Sequence, residues 1–482
     1  MGNTVQAMQF PAVNQPRARV SRGPFDFVNF LLLIAIATLV ILTGTDAQKM
    51  LSSLLSTGFA VVFYLYWLRR KREEPLDAVT RYWLFSIFLL RLALSLSINQ
   101  YWWWPRAVAA PVNDWDRYEI WGWDLANTPI SWAWVDTIPF EDLGAPYYVA
   151  FVYSLTGHNP AALAVAHSLL MGITAVGVFQ FTCRLGQPQA AGRAAIFFSL
   201  LPLGIFLGSI PAKDVIVCAL TVYFVNQLES AFSSGTISLR LLAGLLFSVS
   251  GLLVTRGKFL YILGFVFLLR FIYKLRARTV FLTGPLLVVV VLSTAVAFQN
   301  LRQEVLFREL PLTPVRFSDM ERWQVAIEEY TTTQESSLNR RLYWDQDWRR
   351  AYLVPIRSAM TLMVPFPPIQ FPELYGSFSS INVWAILLLF PGILCLLYRD
   401  RKGRFTYLFR LLPCWGPLVG IAVGLGAGLP FMQSRYALPA YPFFCILSAI
   451  GFSIASRRQV WRAYIIMPAV AGFLFAAYFI IK

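Results

Sequence analysis

Two carboxylates, Asp114 and Asp116, stand two residues apart in a stretch crowded with tryptophan, from Trp102, Trp103 and Trp104 through Trp115, Trp121 and Trp123. A carboxylate at a membrane edge, partly stripped of water by indole rings, gains proton affinity, which makes Asp114 a candidate general base. The same residue could equally serve as the N-cap of an interfacial helix. Asp116 completes an Asp-x-Asp pair able to offer oxygen ligands to a divalent cation. Two carboxylates alone are a weak metal signal, so a divalent cation is possible chemistry here and the metal stays unknown.

The candidate counter-charges are few. Arg256 and Lys258 form the polar break between two apolar stretches, in Val254-Thr255-Arg256-Gly257-Lys258-Phe259. A lipid phosphate at headgroup depth is a natural partner for them, and ordinary anionic headgroups are the plainer one. Arg435 opens a further apolar stretch, where snorkelling to the interface would also explain it. Lys213 and Asp214 are neighbours at an expected helix start and could simply pair. Arg91 falls in the middle of an apolar run, where it must meet a carboxylate or a backbone carbonyl. The two histidines, His158 and His167, are isolated and suggest local hydrogen bonds only. Cys183, Cys218, Cys395, Cys414 and Cys445 form no CxxC or Cys/His cluster, so neither a zinc site nor a disulfide framework is expected.

The elements that must position these groups are apolar helices. With 57% hydrophobic and 14% charged residues and a mean hydropathy of +0.58, the chain carries more apolar side chain than a soluble domain could hide. The long apolar runs lack the alternation of a barrel, so the expected fold class is all-α, a polytopic transmembrane bundle of about thirteen spans. They fall near residues 26–44, 49–68, 81–101, 160–182, 190–210, 213–231, 239–255, 259–274, 279–298, 381–398, 410–430, 436–455 and 463–481. The first span follows a polar tail with Arg17, Arg19 and Arg22 and precedes no small-residue cleavage site, so it is expected to stay as an anchor. The apolar segment Gly144 to Gly157 is too short to cross.

An excess of 41 Lys and Arg over 25 Asp and Glu would suggest nucleic acid in a soluble protein, but here it follows topology. The basic residues gather in alternate connections, at Arg69 to Arg72, Arg184 and Arg193, Lys274 to Arg278, Arg399 to Arg404, and Arg457 to Arg462. The N-terminus is therefore expected in the cytoplasm and the C-terminus outside an inner, plasma membrane. The resulting division is a cytoplasmic tail (1–25), an N-terminal transmembrane hairpin (26–80), a transmembrane core (81–298) with outer loop 102–145, an extracytoplasmic cap (299–380) and C-terminal transmembrane helices (381–482). Both polar loops fall on the outer face. The second, with Arg340, Arg341, Asp345, Asp347, Arg349 and Arg350, is too charged for membrane and is expected to form a small helical cap.

The stretch Asp114-Trp115-Asp116-Arg117-Tyr118 resembles the first outer loop of GT-C glycosyltransferases, in which the protein mannosyltransferase and lipid A aminoarabinose transferase families carry Asp-Glu-x-x-Tyr before a short helix. Trp115 stands where many relatives have Glu. Ala145-Pro146-Tyr147-Tyr148 and Thr156-Gly157-His158-Asn159-Pro160 resemble the next two motifs of those families. Ser209 to Asp214 resembles the tip of the following helical hairpin, and Ser434-Arg435-Tyr436-Ala437-Leu438-Pro439 resembles an Arg-Tyr-x-Leu-Pro signature. The resemblance covers roughly residues 81–300 and 430–455, and departs from it in the two spans that precede the acidic loop.

The resemblance implies an inverting glycosyltransferase that moves a sugar from a polyprenyl-phosphate donor to an acceptor hydroxyl at the outer face. Asp114 and Asp116 would be catalytic; Tyr118, Lys213, Asp214, Arg256, Lys258, Arg435 and Tyr436 would bind substrate. Partners would be the lipid-linked donor, a glycan, lipid or protein acceptor, and membrane lipids, with no nucleic acid. Two other readings remain at this stage. One is a polysaccharide polymerase or ligase on diphosphate-linked glycans, favoured by the Arg340 to Arg350 stretch; the other is a lipid-linked sugar flippase, for which no internal repeat speaks.

Overall fold

The computed structural model describes residues 24–43, 46–70, 75–109, 114–128, 143–234, 238–257, 374–402, 411–428 and 434–481, with isolated positions between 259 and 363. Lys258, most of the expected span 259–274, all of 279–298, most of the cap 299–380 and the N-terminal tail lie outside the described residues.

All regular structure among the described residues is helical. Six of these helices are long and apolar enough to cross a membrane: Ala47–Arg69, Ala78–Val108, Pro160–Arg184, Leu239–Arg256, Leu374–Tyr398 and Ser434–Ile454. Helix α1 (Pro24–Thr43) and helix α2 (Ala47–Arg69) form the first hairpin, and α2 shows which solvent the fold expects. Its small and polar Ser53, Thr57 and Ala60 turn inward while Leu55, Phe59, Val62 and Tyr66 are exposed. That pattern is unfavourable in water and ordinary in lipid, where small residues let helices approach and apolar ones face the chains. The protein is an integral membrane protein.

Helix α3 (Ala78–Ile98) passes without interruption into a π-helical turn (Asn99–Trp103) and α4 (Trp104–Ala109). The helical rod therefore runs beyond the span end expected near residue 101. After it come α5 (Asp114–Asn127), α6 (Gly144–Thr156) and α7 (Pro160–Arg184). The α6–α7 corner is made by Gly157 at φ 71°, then Asn159 as N-cap and Pro160 in the first turn. The left-handed φ needs glycine, and Pro at the helix start lacks an N–H that would have no partner there.

The expected continuous span 190–210 is instead two short helices, α8 (Pro188–Ser199) and α9 (Pro202–Leu207). Pro202 has no N–H to continue the ladder and α9 ends again at Leu207, so backbone carbonyls on both sides of the short helix take further partners. Side chains of α3 and α7 supply them. Arg91 donates to Ser199 O (2.7 Å) and Gly204 O (3.3 Å), Asn99 to Ser209 O (2.8 Å), and His167 Nδ1 to Ile210 O (2.7 Å). Ser95 Oγ lies 3.5 Å from Ile205 O, so Arg91, Ser95 and Asn99 make one stripe at intervals of four residues. Irregular backbone at membrane depth survives only with such protein partners.

The broken segment delivers the chain to α10 (Lys213–Ser234), which returns antiparallel as α11 (Leu239–Arg256). Later come α12 (Leu374–Lys402), α13 (Leu412–Gly428), a 3-10 turn (Ser434–Ala440), α14 (Tyr441–Ile454) and α15 (Arg457–Ile481). Helices α12 and α14 cross backbone to backbone at Gly392 and Gly451. A Cβ at Gly392 would sit 2.4 Å from Ser448 O, and one at Gly451 would collide with Gly392 O.

Candidate functional site

Helix α5 presents its inward face at helical spacing: Trp115, Asp116, Tyr118, Glu119, Gly122 and Leu125 are buried. Gly122 lets it lie on α6, since a Cβ there would meet Val149 Cγ1 at 2.4 Å. Two buried acids on this face fix its rotation. Asp116 accepts from the fully buried Trp103 indole N–H at 2.8 Å. Glu119 accepts from Tyr153 OH at 3.1 Å and pairs with His158, whose ring stacks on Trp123 with centroids 4.5 Å apart. Burying a carboxylate is tolerable only with such partners.

With its rotation fixed, α5 aims its first residue out of the packed face. Asp114 Oδ2 accepts from Arg435 Nη2 at 2.7 Å. Arg435 belongs to the 3-10 turn before α14, and its guanidinium lies 5.3 Å from the Trp115 ring and 5.0 Å from the Tyr436 ring. The turn is seated by hydroxyls: Ser434 Oγ is 2.7 Å from Tyr375 OH and 2.9 Å from Ser379 Oγ, both on α12.

Arg256, the last residue of α11, faces Asp214 in the first turn of α10. Arg256 Nη1 is 2.9 Å from Asp214 Oδ1, and Asp214 is 1% exposed. Both charges suit the helix ends they occupy, a cation at a C-terminus and an anion at an N-terminus. The contact is one of charge rather than an aligned hydrogen bond, and among the described residues neither atom has a hydrogen-bond partner. Arg256 also lies 4.5 Å from the Tyr436 ring. Two guanidiniums thus share one phenol, less than about 10 Å apart. Lys213 adds a third cation, 5.7 Å from the Tyr118 ring.

Of the expected site residues, the structure brings Asp114, Tyr118, Lys213, Asp214, Arg256, Arg435 and Tyr436 into one cluster. Asp214 meets Arg256, and Lys213 lies over the Tyr118 ring. Asp116 stands apart. Two residues along a helix are turned by about 200°, so Asp116 meets Trp103 while Asp114 meets Arg435, and the pair does not converge on one ion. Among the described residues there is no group of three or more metal-ligating side chains.

One expectation is reversed. Burial alone would raise the Asp114 carboxyl, but Arg435, by charge and hydrogen bond, with Lys213 and Arg117 behind it, holds it below the usual carboxylate value. The hydroxyl layer under Arg435 and the Glu119–His158 pair were not anticipated. A signal for the second existed: Asp116 and Glu119, three residues apart, fall on the same helical face as Trp115 and Tyr118.

Fold and cluster together define a helical membrane protein in which two carboxylates and two arginines, drawn from four helix ends, meet around a tyrosine. No family model and no curated protein matches the sequence. Among solved structures, the chain is similar to the archaeal oligosaccharyltransferase AglB from Archaeoglobus fulgidus, determined with an inhibitory peptide and a dolichol-phosphate, at 14% identity and a TM-score of 0.43. The match covers 84% of this chain and 55% of that protein's length.

Proposed function

We propose that this protein is a lipid-linked-sugar-dependent glycosyltransferase of the GT-C type. It moves a sugar from a polyprenyl-phosphate donor to an acceptor hydroxyl, with inversion, on the extracytoplasmic face of the membrane. The observation that carries this reading is the meeting of Asp114 with Arg435, and of Arg435 with Arg256 across Tyr436. Such a transfer needs a carboxylate to take the acceptor proton and cations to receive the charge that develops on the departing phosphate. Asp114 is the base. Arg435 and Arg256 are the phosphate ligands, with Lys258 two residues after Arg256 in sequence.

Arg256, held at its site by the ion pair with the buried Asp214 and lying over Tyr436, supports the assignment by placing a second guanidinium beside Arg435. Tyr118 and Lys213 line the same cluster and are assigned to substrate binding, as are Asp214 through Arg256 and Tyr436 through both arginines. Asp116 acts on the reaction through the orientation of α5. The acceptor is a glycan, lipid or protein hydroxyl.

Replacing the base while keeping its shape tests the reading. Asp114→Asn in proteoliposomes supplied with polyprenyl-phosphate sugars should insert normally and lose transfer by about a thousandfold or more. Full transfer by that variant would overturn the assignment.

A further inference from the structure

The pairing that supports the reading also presents a chemical difficulty. A general base needs a free lone pair and adequate proton affinity, yet Asp114 Oδ2 is occupied by Arg435 Nη2 at 2.7 Å. Held below its usual range by that guanidinium, and by Lys213 and Arg117, the carboxylate as it stands is a poor proton acceptor.

The two partners are not equally fixed. The Arg435 side chain is 10% exposed and bracketed by Trp115 and Tyr436, with Ser434 beneath it tied to α12. The Asp114 side chain is 50% exposed at the first turn of its helix. The guanidinium is the immobile member and the carboxylate the movable one. Beyond Tyr436 lies Arg256, a second guanidinium anchored by its ion pair with the buried Asp214. An anion entering beside Tyr436 meets both guanidiniums and competes with Asp114 for one of them.

We propose that the donor's phosphate takes Arg435 from Asp114, so that the carboxylate is released to act as a base only in the donor complex. The proposal rests on the glycosyltransferase reading. In the resting site the base is masked, and the acceptor has nothing to give its proton to. After the exchange, loss of the cation and arrival of an anion both raise the proton affinity of Asp114. The acceptor O–H proton then passes to Asp114 and the acceptor oxygen bonds to the anomeric carbon. The anomeric carbon–oxygen bond breaks with its electron pair moving to the phosphate oxygen, where Arg435 and Arg256 receive the charge. When the polyprenyl phosphate leaves, Arg435 returns to Asp114 and expels the proton to water, restoring the first state. Deprotonation of the acceptor therefore waits for the donor, in whichever order the two bind.

The charged groups around the carboxylate are Arg435 from the 3-10 turn, Lys213 from α10 and Arg117 from its own helix, with the Arg256–Asp214 pair behind Tyr436. The test titrates Asp114 in the full-length protein in lipid nanodiscs. Infrared difference spectra of 13C-aspartate-labelled protein would be recorded with and without a sugar-free short-chain polyprenyl monophosphate, with Asp114→Asn as the blank that assigns the band. The titration midpoint should rise by about one pH unit or more when the phosphate is bound. In Arg435→Gln it should already be high and should not respond. If the phosphate binds by calorimetry and the midpoint of the unaltered protein stays put, the exchange is wrong and the glycosyltransferase reading stands. If the phosphate does not bind, both fall. The titration of the unaltered protein decides the matter even if Arg435→Gln fails to fold.

Discussion

Arg91 and Arg435 are both buried arginines in apolar surroundings, and they are satisfied in opposite ways. Arg91 spends its N–H groups on backbone carbonyls at the α8–α9 break. Those acceptors cannot leave, so the arginine is part of the scaffold. Arg435 donates to a half-exposed carboxylate and to the Tyr436 hydroxyl and lies against two aromatic rings, with the charge of the buried Asp214 also acting on it. An arginine given to backbone fixes a structure; one given to a movable side chain can be lent to a ligand.

Removing each charge should therefore break different things. Arg435→Gln and Arg256→Gln should each lower transfer by about a hundredfold or more, as loss of one charge-stabilising donor does elsewhere. The thermal unfolding of Arg435→Gln in detergent should stay near that of the parent, whereas Arg256→Gln leaves the buried Asp214 carboxylate without its cation and should lower Tm as well. Arg91→Leu should do the reverse, stranding Ser199 O while Gly204 O keeps the Gly208 N–H, at a cost of about 2 kcal/mol, read as a lower Tm and poorer yield. An Arg91→Leu protein of full stability would erase the contrast between the two sites.

Smaller effects sharpen it. Tyr436→Phe keeps the ring between the guanidiniums and loses only the 3.1 Å hydrogen bond to Arg435, so transfer should fall by about fivefold, with donor KM rising more than kcat changes. The smallest effect is on stability against pH. Because Arg435 depresses the Asp114 carboxyl in the folded protein, the pair stabilises above the ordinary carboxylate range, near about pH 4, and its contribution is lost as pH falls through the lower folded value. With Asp114 half exposed the contribution is under about 1 kcal/mol. Comparing Tm against pH for the parent and Asp114→Asn would measure it.

Part of the cluster was readable from residue type and place, and Tyr118 and Tyr436 only from the motifs of the resemblance. Charged residues such as Arg256 and Arg435, set at the ends of apolar runs, need a reason, and Asp114 stood out among its tryptophans. Which group meets which was not readable, because Asp114 and Arg435 are 321 residues apart. The same separation hid the direction of the Asp114 shift, whose sign depends on a neighbour no local pattern discloses. The α8–α9 break was masked by unbroken apolarity, although Pro202 and the Arg91, Ser95, Asn99 stripe on α3 together foretold carbonyls that take side-chain partners. His158 has no charged neighbour in sequence, so its pairing with Glu119 awaited the corner at Gly157.

The meeting of α12 and α14 at Gly392 and Gly451 has mechanical meaning. Tyr375 rides near the head of one helix and the Arg435 turn sits at the head of the other, each roughly 25 Å of helix away from the crossing. The two rods are joined twice, by bare backbone at the glycines and by hydroxyls at their heads. A methyl group at the first joint would push the rods apart and strain the second, shifting the arginine seated there without a single residue near the chemistry having changed.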